Sequence, residues 1–69
     1  MNRIIVASSN LRSVGYDQQT MTLEIEFKSS GIYRFYNVPE HVYKNLMASS
    51  SLGSYFSDNI KEHYRYSKM

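Results

Sequence analysis

The chain changes its hydrophobic period at its single proline. From Thr20 to Lys28 the residues alternate strictly, with Met21, Leu23, Ile25 and Phe27 on one side and Thr22, Glu24, Glu26 and Lys28 on the other. A period of two predicts a strand with one face buried and one face wet. Ser29-Ser30-Gly31 interrupts the run, and Ile32-Tyr33-Arg34-Phe35-Tyr36 resumes it. A three-residue loop with Gly31 in the left-handed region is a common hairpin connection. It pairs Lys28 with Ile32, Phe27 with Tyr33, Glu26 with Arg34 and Ile25 with Phe35, setting aromatic rings on the core side and an ion pair on the other. Upstream, Leu11–Tyr16 predicts a first strand that returns through Asp17-Gln18-Gln19, with Tyr16 opposite Met21, Val14 opposite Leu23 and a bulge at Gly15. Asn2–Ser9 reads either as an irregular lead-in or as a short strand through Ile4-Ile5-Val6.

Beyond Pro39 the period becomes helical. Proline suits a helix's first turn, and Glu40 suits its positive end. Val42, Tyr43, Leu46 and Met47 form one apolar stripe, which stops near Ala48–Ser50. Ser50 or Ser51 can cap a second helix whose stripe is Leu52, Tyr55, Phe56 and Ile60. Gly53 lies early in that helix, where its propensity cost of about 1 kcal/mol calls for a close approach to the first helix or to the sheet. The expected architecture is α+β: a three-stranded antiparallel β-meander followed by two short α-helices packed on one face. Its expected core is Val14, Leu23, Ile25, Phe27, Tyr33, Phe35, Val42, Leu46, Phe56 and Ile60.

With 69 residues there is room for one domain, 1–69, and no disulfide framework, because cysteine is absent. Hydrophobic residues reach 42%, enough for a core. Stability for such a domain is on the order of 3–5 kcal/mol. No run approaches the roughly 20 apolar residues of a membrane helix, and Ile4–Ala7 is too short for a signal-peptide core. The expectation is a cytoplasmic chain starting at its own Met1. The net charge of +2 is unevenly placed. Residues 1–58 are electrically balanced; Lys61, Arg65 and Lys68 against Glu62 carry the whole excess. Residues 61–69 therefore form a basic, aromatic tail, expected to be ordered only in part.

Several sequence pieces occur in a recognisable order: Ser8-Ser9-Asn10-Leu11, Val14-Gly15-Tyr16-Asp17, Leu23-Glu24-Ile25-Glu26-Phe27, Tyr33-Arg34-Phe35-Tyr36, Val38-Pro39 and Ser51-Leu52-Gly53-Ser54-Tyr55-Phe56. Together they resemble the lysyl-tRNA synthetase C-terminal domain family, the KTSC domain, over roughly Ile5 to Tyr66. The family's Tyr-x-Tyr motif stands here as Tyr33-Arg34-Phe35, without the second hydroxyl. The family occurs as an appendage of some lysyl-tRNA synthetases and as small free-standing bacterial and phage proteins. The resemblance implies a non-enzymatic module that contacts RNA or tRNA weakly. It also implies mainly structural roles for the motif residues Tyr16, Tyr33, Phe35, Pro39, Ser51, Gly53, Tyr55 and Phe56.

Lys61, Tyr64, Arg65, Tyr66 and Lys68 interleave cations with aromatics, the local pattern of a nucleic-acid contact. The same run also fits a helix end favoured by its dipole, with tyrosines packed back on the sheet. Arg34 and Tyr36 fall on the wet face and are contact candidates too, although Glu24 and Glu26 share that face and repel phosphate. A solvated face with a Glu26–Arg34 pair is the other reading. Tyr33 and Phe35 fall on the covered face, which makes them core residues before they are a stacking platform. No catalytic residue, cofactor or metal is expected. His41 and His63 lack partners at ligand spacing, no Gly-x-Ser-x-Gly elbow occurs, and no glycine loop is followed by lysine to cradle a phosphate. A protein-interaction module, acting through an exposed sheet edge or by homodimerisation, is the alternative function.

Overall fold

The computed structural model describes residues 1–69. Its strands are β1 (Ile4–Ile5), β2 (Leu11–Asp17), β3 (Thr22–Phe27), β4 (Gly31–Phe35) and β5 (Tyr66–Lys68), with α1 (Glu40–Ala48) and α2 (Leu52–Asn59) between β4 and β5. They form one antiparallel sheet in the order β1-β2-β3-β4-β5. The α+β class and the two helices agree with expectation. The sheet has five strands, not three. The two extra strands are the edges, two and three residues long, too short to display a period of two.

Both hairpins keep the expected faces but not the expected register. Ile25 lies opposite Tyr33 and Leu23 opposite Phe35, two residues away from the pairing anticipated. Tyr16 likewise faces Leu23, and Val14 faces Ile25. A two-residue displacement leaves every side chain on its own side. The cause lies in the turns. Pairing closes at Phe27–Gly31 around Lys28–Ser30, with Gly31 at φ 97°, and at Asp17–Thr22 around a four-residue turn. Met21 belongs to that turn, at φ 54° and 39% exposed, not to the buried row.

The bulge sits at Arg12 and not at Gly15. Leu11 pairs with Phe27 and Ser13 with Glu26, leaving Arg12 extra. The extra residue lets Leu11 and Val14, three apart in sequence, both reach the core. Gly15 answers a different need: a Cβ there would stand 3.0 Å from the Asn2 carbonyl oxygen and 3.0 Å from Arg3 Cγ. The segment leading into β1 crosses the sheet's outer face at that point.

This crossing overturns the wet face expected for β3. Thr22 and Glu24 are buried, the latter at 3% exposure. Arg3 and Arg34 both donate to the Glu24 carboxylate, Arg34 Nε at 2.9 Å. Ser13 Oγ accepts from Arg3 Nε at 3.0 Å and donates to Glu26 Oε1 at 3.0 Å. Arg34 thus pairs with Glu24 instead of Glu26, as the two-residue displacement requires. Burial alone raises a carboxyl's pKa, but the hydrogen bonds and charges of Arg34 and Arg3 outweigh it, and Glu24 ends below its ordinary value.

The core lies between the sheet's other face and the helices: Leu11, Val14, Leu23, Ile25, Phe35, Val38, Val42, Leu46, Phe56 and Ile60. Phe27 and Tyr33, expected among them, are only half-buried at its margin. Val38, an addition, is fixed by its N–H to the Met21 carbonyl at 2.8 Å and by the Tyr16 hydroxyl donating to its own carbonyl. Burial, then the charges of Glu40 and Asp17, push the Tyr16 phenol above its usual pKa, so it stays a donor. Tyr16 stacks on Tyr43 at 4.9 Å, tying β2 to α1. Pro39 stands at the N-cap of α1 with φ −63°, and its carbonyl accepts from Val42 N–H. Ser51 caps α2, its Oγ accepting from Ser54 N–H at 3.3 Å. Gly53 admits Asn10, whose Nδ2 would lie 3.3 Å from a Cβ at that position.

Candidate functional site: an aromatic cleft with a cationic rim

Two short helices cannot cover five strands. The uncovered part of the helix-side face is a cleft of about 710 Å³, within the range of roughly 300–1,000 Å³ usual for ligand pockets. Its floor is Phe27, Tyr33 and Phe35 from the sheet. Gly53, Phe56 and Ser57 of α2 form one wall. Lys61, Glu62, Tyr64 and Tyr66, from the turn after α2 and from β5, close the other side; Asn10, Ser29 and Ser30 stand at its end.

The aromatic lining is a connected set of rings. Phe27 meets Tyr33 edge-on at 5.5 Å and Phe56 at 5.1 Å. Phe35 meets Phe56 at 5.4 Å. Tyr66 lies 5.7 Å from both Tyr33 and Phe35, because β5 pairs Tyr66 with Phe35 and Lys68 with Tyr33. Lys68 Nζ stands 5.8 Å above the Tyr33 ring, within reach of a cation–π attraction. Phe35 and Phe56 are core residues with one edge toward the cleft. Tyr33 is half-buried and Tyr66 is 58% exposed.

The fifth strand gathers the basic tail at this place. Tyr36 N–H donates to the Arg65 carbonyl, and Met69 N–H to that of Ile32, so the segment is laced to β4 at both ends. Lys61, Tyr64 and Tyr66 line the cleft and Lys68 overlies Tyr33; Arg65 is exposed and is not part of the lining. Arg34 and Tyr36 are on the opposite face, Arg34 held by Glu24 and Tyr36 bonded through its hydroxyl to Ser67. The structure therefore brings Lys61, Tyr64, Tyr66 and Lys68 to one site, leaves Arg65 exposed outside its lining, and sets Arg34 and Tyr36 on the other face.

Charge pairing sharpens the contrast. Arg3, Arg12, Arg34 and Lys44 each have a carboxylate partner. Lys28, Lys61, Arg65 and Lys68 have none, and three of these belong to the tail. Sequence reasoning did not anticipate the loop residues Asn10, Ser29 and Ser30, or Ser57 and Glu62, as lining. Phe27 and Phe56 carried a signal, as aromatic members of the β3 and α2 stripes, but those stripes indicated burial. His41 and His63 are exposed, and no three His, Asp or Glu side chains converge. Tyr55 is half-buried against the core, its carbonyl accepting from Asn59.

These features define a small α+β module with an aromatic, cation-rimmed cleft. The KTSC domain family model matches residues 7–64, and the chain belongs to that family. A crystal structure of a KTSC domain protein from Yersinia pestis superposes with a TM-score of 0.98 at 37% identity, covering 99% of this chain and 96% of that one. An uncharacterised protein of Stutzerimonas stutzeri is 45% identical over 96% of this chain and 94% of its own length. A lysine–tRNA ligase of Nostoc punctiforme is 33% identical over 88% of this chain, which spans only 11% of the ligase. Free-standing and appended forms of the domain thus both exist.

Proposed function

We propose that this protein is a non-enzymatic module that makes weak, salt-sensitive contacts with single-stranded RNA through the aromatic cleft. The observation that carries the reading is the placement of the unpaired cations Lys61 and Lys68 around the exposed parts of Tyr33, Tyr64 and Tyr66, with unpaired Arg65 exposed on the same segment of chain. Cations follow a phosphate backbone while aromatic faces take unstacked bases. The kinship with a lysine–tRNA ligase supports RNA as the partner class. Duplex is disfavoured, since its bases are already stacked and cannot enter a cleft.

Fluorescence anisotropy with a labelled single strand and with tRNA tests this. Three phosphate contacts give a slope of about −2 in log K against log salt, or roughly 20-fold weaker binding at 200 mM than at 50 mM salt. Lys61→Ala and Arg65→Ala each reduce that slope by about 0.7. Absence of salt-sensitive binding at tens of micromolar protein sinks the reading.

A second reading rests on the far edge of the sheet. Strand β1 presents Ile4 at 54% and Ile5 at 83% exposure beside an unpaired backbone edge, which suits pairing with a second copy of the chain. Light scattering at rising concentration distinguishes the two: a strict monomer removes this reading and leaves the first intact.

A further inference from the structure

The cleft has one feature that works against a phosphate backbone. Glu62 lines it along with Lys61 and Tyr64, and it is the only carboxylate that does. It makes no ion pair, although Lys61 is its chain neighbour. A negative charge on the rim of a cationic cleft lowers affinity for a polyanion unless its oxygens meet donors. The sheet floor offers no competitor for such donors, since Phe27, Tyr33 and Phe35 present ring carbons and a single hydroxyl.

A carboxylate only accepts hydrogen bonds. Guanine is the one common base whose Watson–Crick edge sets two donors side by side, N1–H and the N2 amine, at a spacing that two carboxylate oxygens match. Adenine and cytosine place a ring-nitrogen acceptor next to their amine, and that lone pair repels the second oxygen. Uracil flanks its single N3–H with two carbonyls. Tyr33, Tyr66 and Glu62 line the same cleft, so a base stacked on one of these exposed rings shares that cleft with the Glu62 carboxylate.

We infer that the cleft receives one unpaired base and that Glu62 selects guanine, so that the module prefers single strands carrying an unpaired G. The inference rests on the RNA reading above and adds base selection to it. A two-point contact of this kind corresponds to roughly tenfold discrimination.

Anisotropy titrations at low salt with the labelled pentamers UUGUU, UUAUU, UUCUU, UUUUU and UUIUU test it. Inosine keeps N1–H and lacks the N2 amine. The expected order places UUGUU about tenfold tighter than UUUUU, with UUIUU between them. Glu62 is exposed, so Glu62→Gln folds normally. It collapses the G preference to less than about twofold and leaves UUUUU binding at least as tight as before. Equal binding of all five pentamers, or a G preference that survives Glu62→Gln, overturns base selection while RNA contact stands. Failure of every pentamer to bind the unaltered protein overturns both.

Discussion

Glu24 shows how far one side chain's role depends on residues distant in sequence. By alternation it belongs to a wet face, yet it is buried under the N-terminal segment and held by two guanidinium groups. Those arginines are themselves partly exposed, at 30% and 43% of their side chains. Removing either alone is therefore mild, on the order of 1–2 kcal/mol. Removing both strands a buried carboxylate, and Arg3→Ala with Arg34→Ala is expected to cost about 3–5 kcal/mol by chemical denaturation, most of what a domain of this size has. Adding Glu24→Gln to that pair should restore part of the loss. A double variant no weaker than one surface pair, about 1 kcal/mol, contradicts this account. The pH dependence has a definite sign. Because the Glu24 pKa is lowered in the folded state, its contribution is present above the unfolded carboxylate value near 4.3 and is lost as pH falls through the folded value. Denaturant midpoints measured from pH 6 down to pH 3 should fall less steeply for Glu24→Gln than for the unaltered chain.

At the scale of elements, the period of the sequence determined the faces and the helices, while the turns determined the register. Phe27 and Tyr33 illustrate the difference. They are not opposite one another, but they are diagonal neighbours on one face, and their rings still meet. Serine-rich turns such as Lys28-Ser29-Ser30 do not dictate where pairing closes, so a displacement by two was invisible in composition. The edge strands fared differently. A short strand through Ile4-Ile5-Val6 is one of two readings of the lead-in, and pairing with β2 selects it for Ile4–Ile5, whereas Tyr66–Lys68 is exposed and short, and only the free edge of β4 identifies it as a strand. Strand β5 matters most, because it supplies Tyr66 and Lys68 to the cleft and covers the edge of β4. A chain ending at Arg65 loses the Met69 N–H bond to Ile32 and the Tyr66 ring contacts with Tyr33 and Phe35. It is expected to unfold at a denaturant midpoint clearly below that of the full chain and to self-associate through the bared β4 edge. An unchanged midpoint together with a monomeric state would mean that β5 adds nothing to the fold.

Over the whole molecule, the distribution of charge separates scaffold from surface. In the body, arginine and carboxylate pairs hold the N-terminal segment and the outer face; at one edge, cations stand unpaired beside open aromatic rings. The tail's character was legible in the sequence, and so was the family, from six ordered motifs. The cleft was not, because it exists only where β5 joins β4 and α2 ends too soon to cover Tyr33. The same absence of cover explains why Phe35 is buried as expected and Tyr33 is not. The central claim is that RNA meets the protein here and not on the outer face. Nitrogen-15 chemical-shift mapping with UUGUU at two salt concentrations addresses it most directly. The account predicts salt-sensitive shifts confined to the amides of residues 27–35 and 53–68. Shifts clustered on β1, or none at millimolar oligonucleotide in low salt, would contradict it.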